Sequence, residues 1–332
     1  MDAPTRLVTV TRVRNEDDII EAFVRHHCKL VDHCILLDDG STDRTPDILQ
    51  ALRAEGLPLS VYRACSATFV ESAHNTFLLR RAAALGADWV LCVDSDEFID
   101  ERSLPGSLRD TLAAMPPEIL VVEAELVNYH ATSADNAAEW IVPQRLRRRS
   151  TDPSGVFKVF VRGRFAAFGG EVENGNHNVR LHGTPMSPLR LPGLYLAHYA
   201  MRTGWQMLAK AVSGRLKVLA TGRAEVERGS AMHYTELLGN LRDHPEWLLF
   251  DPGFLSGRRA PDGIHGGAED DPMDYRGGEL RHTYPLDPRL HAARSLLAYL
   301  ELLASRHGAL LDALPQAREL TREGDGEPVE VR

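Results

Sequence analysis

The sequence contains no apolar run approaching the length of a membrane-spanning helix, so any membrane contact is expected to be peripheral. The start, Met1 to Arg6, leads into a strand-like run without the long apolar stretch of a secretory signal. Only four cysteines are present (Cys28, Cys34, Cys65, Cys92), and no pair has the CxxC spacing of a zinc site or redox dithiol. Three of them, Cys28, Cys34 and Cys92, sit in or beside apolar runs, so buried free thiols and a cytoplasmic location are expected. A surplus of positive charge is also missing. Lys and Arg number 38 against 47 Asp and Glu, a net charge of −9. That excludes a nonspecific nucleic-acid binder, which needs cations to displace counterions. It does not exclude a phosphorylated ligand, because a local site holding a divalent cation is electropositive on an acidic protein. No internal repeat is visible.

What is present suits a globular protein. At 332 residues, 43% hydrophobic and 26% charged, the chain can bury a sizeable core in one large domain or a domain with an appendage. The first hundred residues alternate strand and helix. Leu7 to Thr11 is a short β-rich run. Asn15 is a plausible N-cap for a helix whose apolar residues, Ile19, Ile20, Phe23 and Val24, recur at helical spacing. Cys34 to Leu37 reads as a strand buried on both faces, ended by the turn residues Asp38-Asp39-Gly40-Ser41. Thr45 as N-cap and Pro46 at the first helical position open the next helix. A strand at Leu59 to Tyr62, a helix from about Glu71 to Leu85 and a strand at Trp89 to Val93 follow. This order predicts an α/β protein with a mostly parallel, doubly wound sheet. Ligands of such sheets bind beyond the carboxyl ends of the strands. Both acidic clusters, Asp38-Asp39 and Asp94-Ser95-Asp96, fall there.

The second half is less regular. Strands are expected at Ile119 to Asn128, Phe157 to Val161 and Leu194 to His198, and a helix at Gly204 to Leu219. Residues 251–285, rich in Gly, Pro, Asp and Arg, read as a long loop. Leu290 to Leu314 is a leucine-rich helical tail that either packs on the rest of the chain or forms a homodimer contact, and the last residues, Glu323 to Arg332, are expected to be disordered.

Two carboxylates two positions apart at a strand exit can reach one cation, and a divalent cation held there keeps open positions for a diphosphate and offsets its charge as it departs. A carboxylate at Asp38 or Asp39 can accept hydrogen bonds from a base or ribose, and the same residues equally suit a turn and helix cap.

In this order the blocks become familiar. Val13-Arg14-Asn15-Glu16 through His26-His27, then Leu37-Asp38-Asp39-Gly40-Ser41-Thr42-Asp43, then Ala87 through Val93 into Asp94-Ser95-Asp96-Glu97-Phe98, resemble family-2-type glycosyltransferases of the GT-A fold. More narrowly they resemble the bacterial branch with an RNE start and a DxDEF motif. Phe157-Lys158-Val159-Phe160-Val161-Arg162 and Leu196-Ala197-His198-Tyr199 through Thr203 with Lys210 look like its later blocks, so the resemblance spans about residues 6–215.

The resemblance implies a GT-A sheet with a helical C-terminal extension. The catalytic domain is expected over 1–220, with a nucleotide-binding half at 1–100 and an acceptor half at 101–220. A helical and loop extension would follow over 221–320, then a disordered tail at 321–332. It implies a nucleotide-sugar donor, UDP- or GDP-linked, and Mn2+ or Mg2+. Thr11, Arg12, Val13, Asn15 and Glu16 would lie against the nucleotide, and Asp38 or Asp39 would contact base or ribose. Asp94, with Ser95 beside it, and Asp96 would hold metal and diphosphate. His198 would complete the metal site, and Lys210, with Arg202, would contact phosphate. Family-2 enzymes invert the anomeric carbon, which needs a carboxylate to take the acceptor proton. The ED motif that marks this base in many relatives is missing. Glu171 and Glu173 form the nearest acidic pair, Glu97 is the other candidate, and His177 is a further site residue. The acceptor is not identified.

Three other readings compete. A dehalogenase-type phosphatase also places DxD after an apolar strand, but usually at the first strand and followed by a small pair, not Glu97-Phe98. A sugar nucleotidyltransferase would carry glycines after the first strand, where Arg12-Val13-Arg14-Asn15 has none. A sugar-nucleotide-binding protein without transfer activity would keep both acidic motifs and lack a base.

Overall fold

The computed structural model describes residues 4–132, 134–246, 267–284 and 286–314. Strands β1 (Leu7–Val13), β2 (His33–Asp39), β3 (Leu59–Ala64) and β4 (Trp89–Cys92) alternate with helices α1 (Ile20–His27), α2 (Thr45–Ala54) and α3 (Glu71–Ala84). The four strands are parallel in the order β3-β2-β1-β4. In β2 and β4 the apolar runs Cys34 to Leu37 and Trp89 to Cys92 are continuous because both faces are covered, whereas the edge strand β3 is half-buried. α1 and α2 bury Phe23, Ile48, Leu49 and Leu52 on one face, while α3 buries Leu78, Leu79 and Ala82 on the other. Gly86, at φ +76°, ends α3 in a conformation that side chains rarely adopt.

Beyond β4 the sheet changes direction. The chain turns through Asp94 to Asp96 into β5 (Glu97–Asp100), and α4 (Leu108–Ala113) leads to β6 (Val121–His130). After α5 (Val142–Arg145) and β7 (Arg148–Ser150), β8 (Phe157–Arg162) runs antiparallel between β4 and β6. A short helix, α6 (Arg164–Ala167), and a small sheet of β9 (Gly170–Val172), β10 (Val179–Leu181) and β11 (Thr184–Pro185) follow. β12 (Leu189–His198) closes the curl, parallel to β6 and antiparallel to β5. Its register sets His198 opposite both Glu97 and Asn128.

Three helices follow, α7 (Gly204–Thr221), α8 (Arg223–Glu227) and α9 (Met232–Asp243), of which α7 and α9 lie over the carboxyl ends of the strands. β13 (Ala268–Asp270) adds an edge against β7, and α10 (Pro288–Ala313) packs on α7. The loop expected over 251–285 is described from residue 267, where it includes β13, and its earlier part lies outside the described residues. The tail expected to be disordered lies outside them as well. No helix among the described residues is long and apolar enough to cross a membrane.

Two expected caps are used differently. Asn15 does not cap α1. It sits at φ +54°, and its Oδ1 accepts from the Thr42 backbone N–H at 2.7 Å. The Thr45 hydroxyl does not cap α2 but accepts from the Glu16 N–H at 2.9 Å. Both side chains tie the β1 exit to the β2 exit, and tertiary contact outweighs local capping.

Candidate active site

A cavity of about 1260 Å³ lies against the carboxyl ends of β1, β2 and β4, roofed by α7 and α9. Of the residues expected at the nucleotide, Arg12, Val13, Asn15, Glu16 and Asp39 line it, as do Asp94, Ser95, Asp96, Glu97, His198 and Lys210. Buried sheet residues have brought together segments more than a hundred positions apart.

Asp94 and Asp96 leave β4 on one turn but face different cations. Asp94 Oδ2 meets Lys158 Nζ at 2.5 Å, and its Oδ1 accepts from Asn176 at 3.1 Å. Asp96 Oδ2 meets Lys210 Nζ at 2.6 Å, with His198 Nε2 at 3.9 Å from its other oxygen. Burial works against both carboxylates, but Lys158 for Asp94, and Lys210, His198 and Arg202 for Asp96, hold their pKa below the usual range. Both are therefore ionised at neutral pH.

Lys158 is almost fully buried, its side chain 3% exposed, in the middle of apolar β8. It bridges Asp94 and Glu97, whose Oε1 lies 3.0 Å from Nζ. Glu97 also accepts from the Asp94 backbone N–H at 2.9 Å and so braces the turn. Burial pushes the Glu97 pKa up to about 8. A side chain held in this way is placed to shape the turn and not to reach an acceptor.

Of the three residues expected to grip a cation, Asp96 and His198 fall in a group that could hold one, with Glu97 and not Asp94 as its third member. Ligand atoms of Asp96, Glu97 and His198 all lie within 4.8 Å of one another. Burial lowers the His198 pKa to about 4, so the ring is neutral. Its Nδ1 is 2.8 Å from Asn128 Oδ1. With the amide oxygen accepting there, Nδ1 carries the proton and the Nε2 lone pair faces Asp96, the orientation that metal-binding histidines take.

The rest of the floor is a lattice of ion pairs. Asp39 Oδ2 meets Lys217 Nζ at 2.5 Å, and its Oδ1 accepts from the Ser66 N–H. Burial works to raise the Asp39 pKa, but Lys217 outweighs it and the pKa is lowered, while burial brings Lys217 itself down to about 8. Arg12 pairs with Glu71 at 2.6 Å. Arg202, whose side chain has no exposed surface, bonds Asp18 through two contacts of 2.6 and 2.9 Å, the Glu16 carboxylate, and the Tyr199 carbonyl at 3.0 Å. Burial pushes the Glu16 pKa up to about 7 against the pull of Arg202.

Several expectations need correction. Thr11 is buried inside β1 and does not line the cavity. Asp38 is turned into the β2 turn, where its Oδ1 accepts from the Ser41 N–H at 2.9 Å, so the cap reading applies. Glu171 is exposed on β9, and Glu173 pairs with Arg180 at 2.5 Å, both off the cavity wall. Arg202 is sealed in carboxylates and is not open to a phosphate. His177 does line the cavity, its Nδ1 fixed by the Phe157 carbonyl at 2.8 Å.

Sequence reading missed Lys158, Lys217, Glu71, Asn128 and Tyr234. A signal existed for the two lysines. Lys158 is the one cation in the apolar run Phe157 to Val161, and Lys217 follows Lys210 by seven residues on one face of α7. Tyr234 was not legible: it packs where Gly214 has no side chain, since a Cβ there would lie 2.4 Å from its ring.

Residues 9–161 match the family described as Glycosyl transferase family 2. No curated protein matches the sequence. Among solved structures, S. aureus TarS 1–349 in complex with UDP is similar at 15% identity and a TM-score of 0.36, covering 75% of this chain and 74% of that one. The mannosyltransferase PcManGT from Pyrobaculum calidifontis, in complex with GDP-Man and Mn2+, is similar at 15% identity and a TM-score of 0.35, covering 96% and 85%. The matched segment runs from β1 into β8 and contains the acidic turn, so over residues 9–161 this chain is similar to glycosyl transferase family 2.

Proposed function

We propose that the chain transfers a sugar from a nucleoside-diphosphate donor, UDP- or GDP-linked, to an acceptor hydroxyl with inversion. Asp94, Asp96 and His198 would hold Mn2+ or Mg2+. The observation that carries this reading is that Asp94 and Asp96 open onto the same cavity as the β1 exit and Asp39. Its volume exceeds the roughly 300–1,000 Å³ of a typical small-molecule pocket, which leaves space for donor and acceptor together.

Arg12, Val13, Asn15 and Glu16 form the nucleotide wall, and Asp39 with Lys217 is placed for base or ribose. A cation bound at the acidic turn would stabilise negative charge on the leaving diphosphate. The protein must also supply a base. Among the described carboxylates lining the cavity, Glu16, Asp39, Glu71, Asp94, Asp96 and Glu97 each face a cation. Glu236, exposed on α9, has no such partner among the described residues and replaces Glu97, Glu171 and Glu173 as the proposed base. It takes the acceptor hydroxyl proton as that oxygen bonds the anomeric carbon and the sugar–phosphate bond breaks, releasing the nucleoside diphosphate.

The test is a thermal-shift screen of UDP, GDP and their sugars with Mn2+ or with EDTA. A ligand at a hundred times its Kd stabilises by roughly 2.7 kcal/mol, a readable shift. Equal shifts with Mn2+ and EDTA would overturn the metal, and no shift with any nucleotide would overturn the donor reading. Glu236→Gln should lower kcat by about 10²- to 10⁴-fold with the nucleotide shift intact. Unchanged kcat would remove Glu236 from the reaction. Nucleotide binding without donor hydrolysis or transfer would leave a binding protein, and release of phosphate from aryl phosphates would favour a phosphatase.

A further inference from the structure

Helix α10 has two apolar faces. One, with Ala292, Ser295 and Tyr299, is buried, and the Tyr299 hydroxyl donates to the Ala67 carbonyl at 2.8 Å. The other is open. Leu290 is 69% exposed, Leu297 68% and Leu300 49%, and Leu314, just past the end of the helix, is 48% exposed.

These positions follow a heptad. Leu290, Leu297, Ala304 and Leu311 recur every seven residues, and Ala293, Leu300, His307 and Leu314 follow each by three. That is the spacing of a coiled-coil seam. Over 26 residues the helix is about 39 Å long, ample for such a seam.

Charge identifies the occupant. Arg294 and Glu301 flank the stripe on one edge, and neither has a hydrogen bond or ion pair among the described residues. An antiparallel second copy would set Arg294 against the partner's Glu301, and the two-fold axis would repeat the pair. A parallel copy would set Glu301 beside the partner's Leu296 and leave both charges uncompensated. A helix that lies on an anionic membrane carries a cationic border, whereas this border mixes Arg294 with Glu301 and Asp312.

We propose that α10 pairs with α10 of a second copy of this chain, antiparallel, about a two-fold axis between Leu297 and Leu300. The layers outward from the axis are Leu297 with the partner's Leu300, Ala293 with the partner's Ala304, and Leu290 with the partner's His307. Leu286, 45% exposed just before the helix, then meets the partner's Leu311. The contact is isologous, so it closes at two copies.

Sedimentation velocity of the full chain over a micromolar concentration series tests this. The wild type is expected at twice the chain mass. Leu297→Glu, at an exposed position, should leave a folded monomer with an unchanged circular dichroism spectrum. Arg294→Glu or Glu301→Arg alone should weaken the dimer by about tenfold, and the two together should restore it. A wild type that stays monomeric at the highest concentration would overturn the proposal. So would a dimer indifferent to Leu297→Glu, or a double charge swap no tighter than either single. A monomer that co-sediments with phosphatidylglycerol vesicles would assign the stripe to a membrane instead.

Discussion

Arg202 offers a direct test of how the site is held together. Its guanidinium is fully enclosed and faces Glu16, Asp18 and, at 3.9 Å, Asp96. Arg202→Met removes the main cation from this group, and removing one partner of a buried charge network costs roughly 3–5 kcal/mol. Two features favour the lower end. The Asp18 side chain is 39% exposed and can take up water. Glu16, with its pKa already near 7, can hold a proton and keeps Lys210 at 3.7 Å. A loss of about 3 kcal/mol is expected at neutral pH. Arg202→Lys keeps the charge but not the fork that serves both Asp18 oxygens, so about 1–2 kcal/mol should be lost. Glu16→Gln added to Arg202→Met should recover part of the deficit. Urea unfolding followed by tryptophan fluorescence reads these differences, with Trp205 close by in sequence. The nucleotide-induced melting shift should survive in Arg202→Lys. An Arg202→Met protein within 1 kcal/mol of wild type would refute the buried-clamp argument. A lysine variant that keeps its stability but loses nucleotide binding would return Arg202 to the phosphate.

Asp94→Asn and Asp96→Asn should each cut transfer by at least about 100-fold, since charge stabilisation worth several kcal/mol is at stake. Activity in Asp94→Asn near wild type would contradict the role of the acidic turn. A pH effect follows from His26, buried under β5, where its Nε2 is 2.9 Å from the Ile99 carbonyl and its Nδ1 accepts from the Arg276 N–H. Burial lowers its pKa from 6.5 to about 4. A depressed folded pKa means that its contribution is complete above pH 6.5 and is lost as pH falls toward 4. Relative to His26→Gln, which cannot titrate, the wild type should lose about 2.4 kcal/mol between pH 7 and 4.5 in urea melts, and parallel pH profiles would count against this. Gly214→Ala pushes a methyl into the Tyr234 ring, and overpacking should outweigh the gain in helix propensity, leaving a net loss of about 1–2 kcal/mol. A stabilised variant would show that Tyr234 moves aside freely.

The parallel half was legible because it is periodic and punctuated. Strands such as Cys34 to Leu37 are unbroken apolar runs, and Gly56 and Gly86 stand where helices end. The acidic turn was legible because Asp94-Ser95-Asp96 directly follows an apolar strand. The capping roles of Asn15 and Thr45 were misread, because a side chain that can bond its own helix can also bond a neighbouring loop, and only the fold decides between them. The carboxylates on the cavity wall were legible only in part for a related reason. Glu171 and Glu173 are near the site in sequence order, whereas Glu236 reaches the cavity from a helix 140 residues after Asp96.

The sequence alone determined the alternation of elements, the resemblance to a family and the position of the acidic turn, since each rests on neighbouring residues and local patterns. The tertiary structure decided which charges neutralise which: Lys158 under Asp94 and Glu97, Lys210 on Asp96, Lys217 on Asp39 and Arg202 among three carboxylates. Those pairings join strands and helices far apart in the chain. They depend on distance and burial, which set the strength of a charge interaction and which a linear sequence does not record.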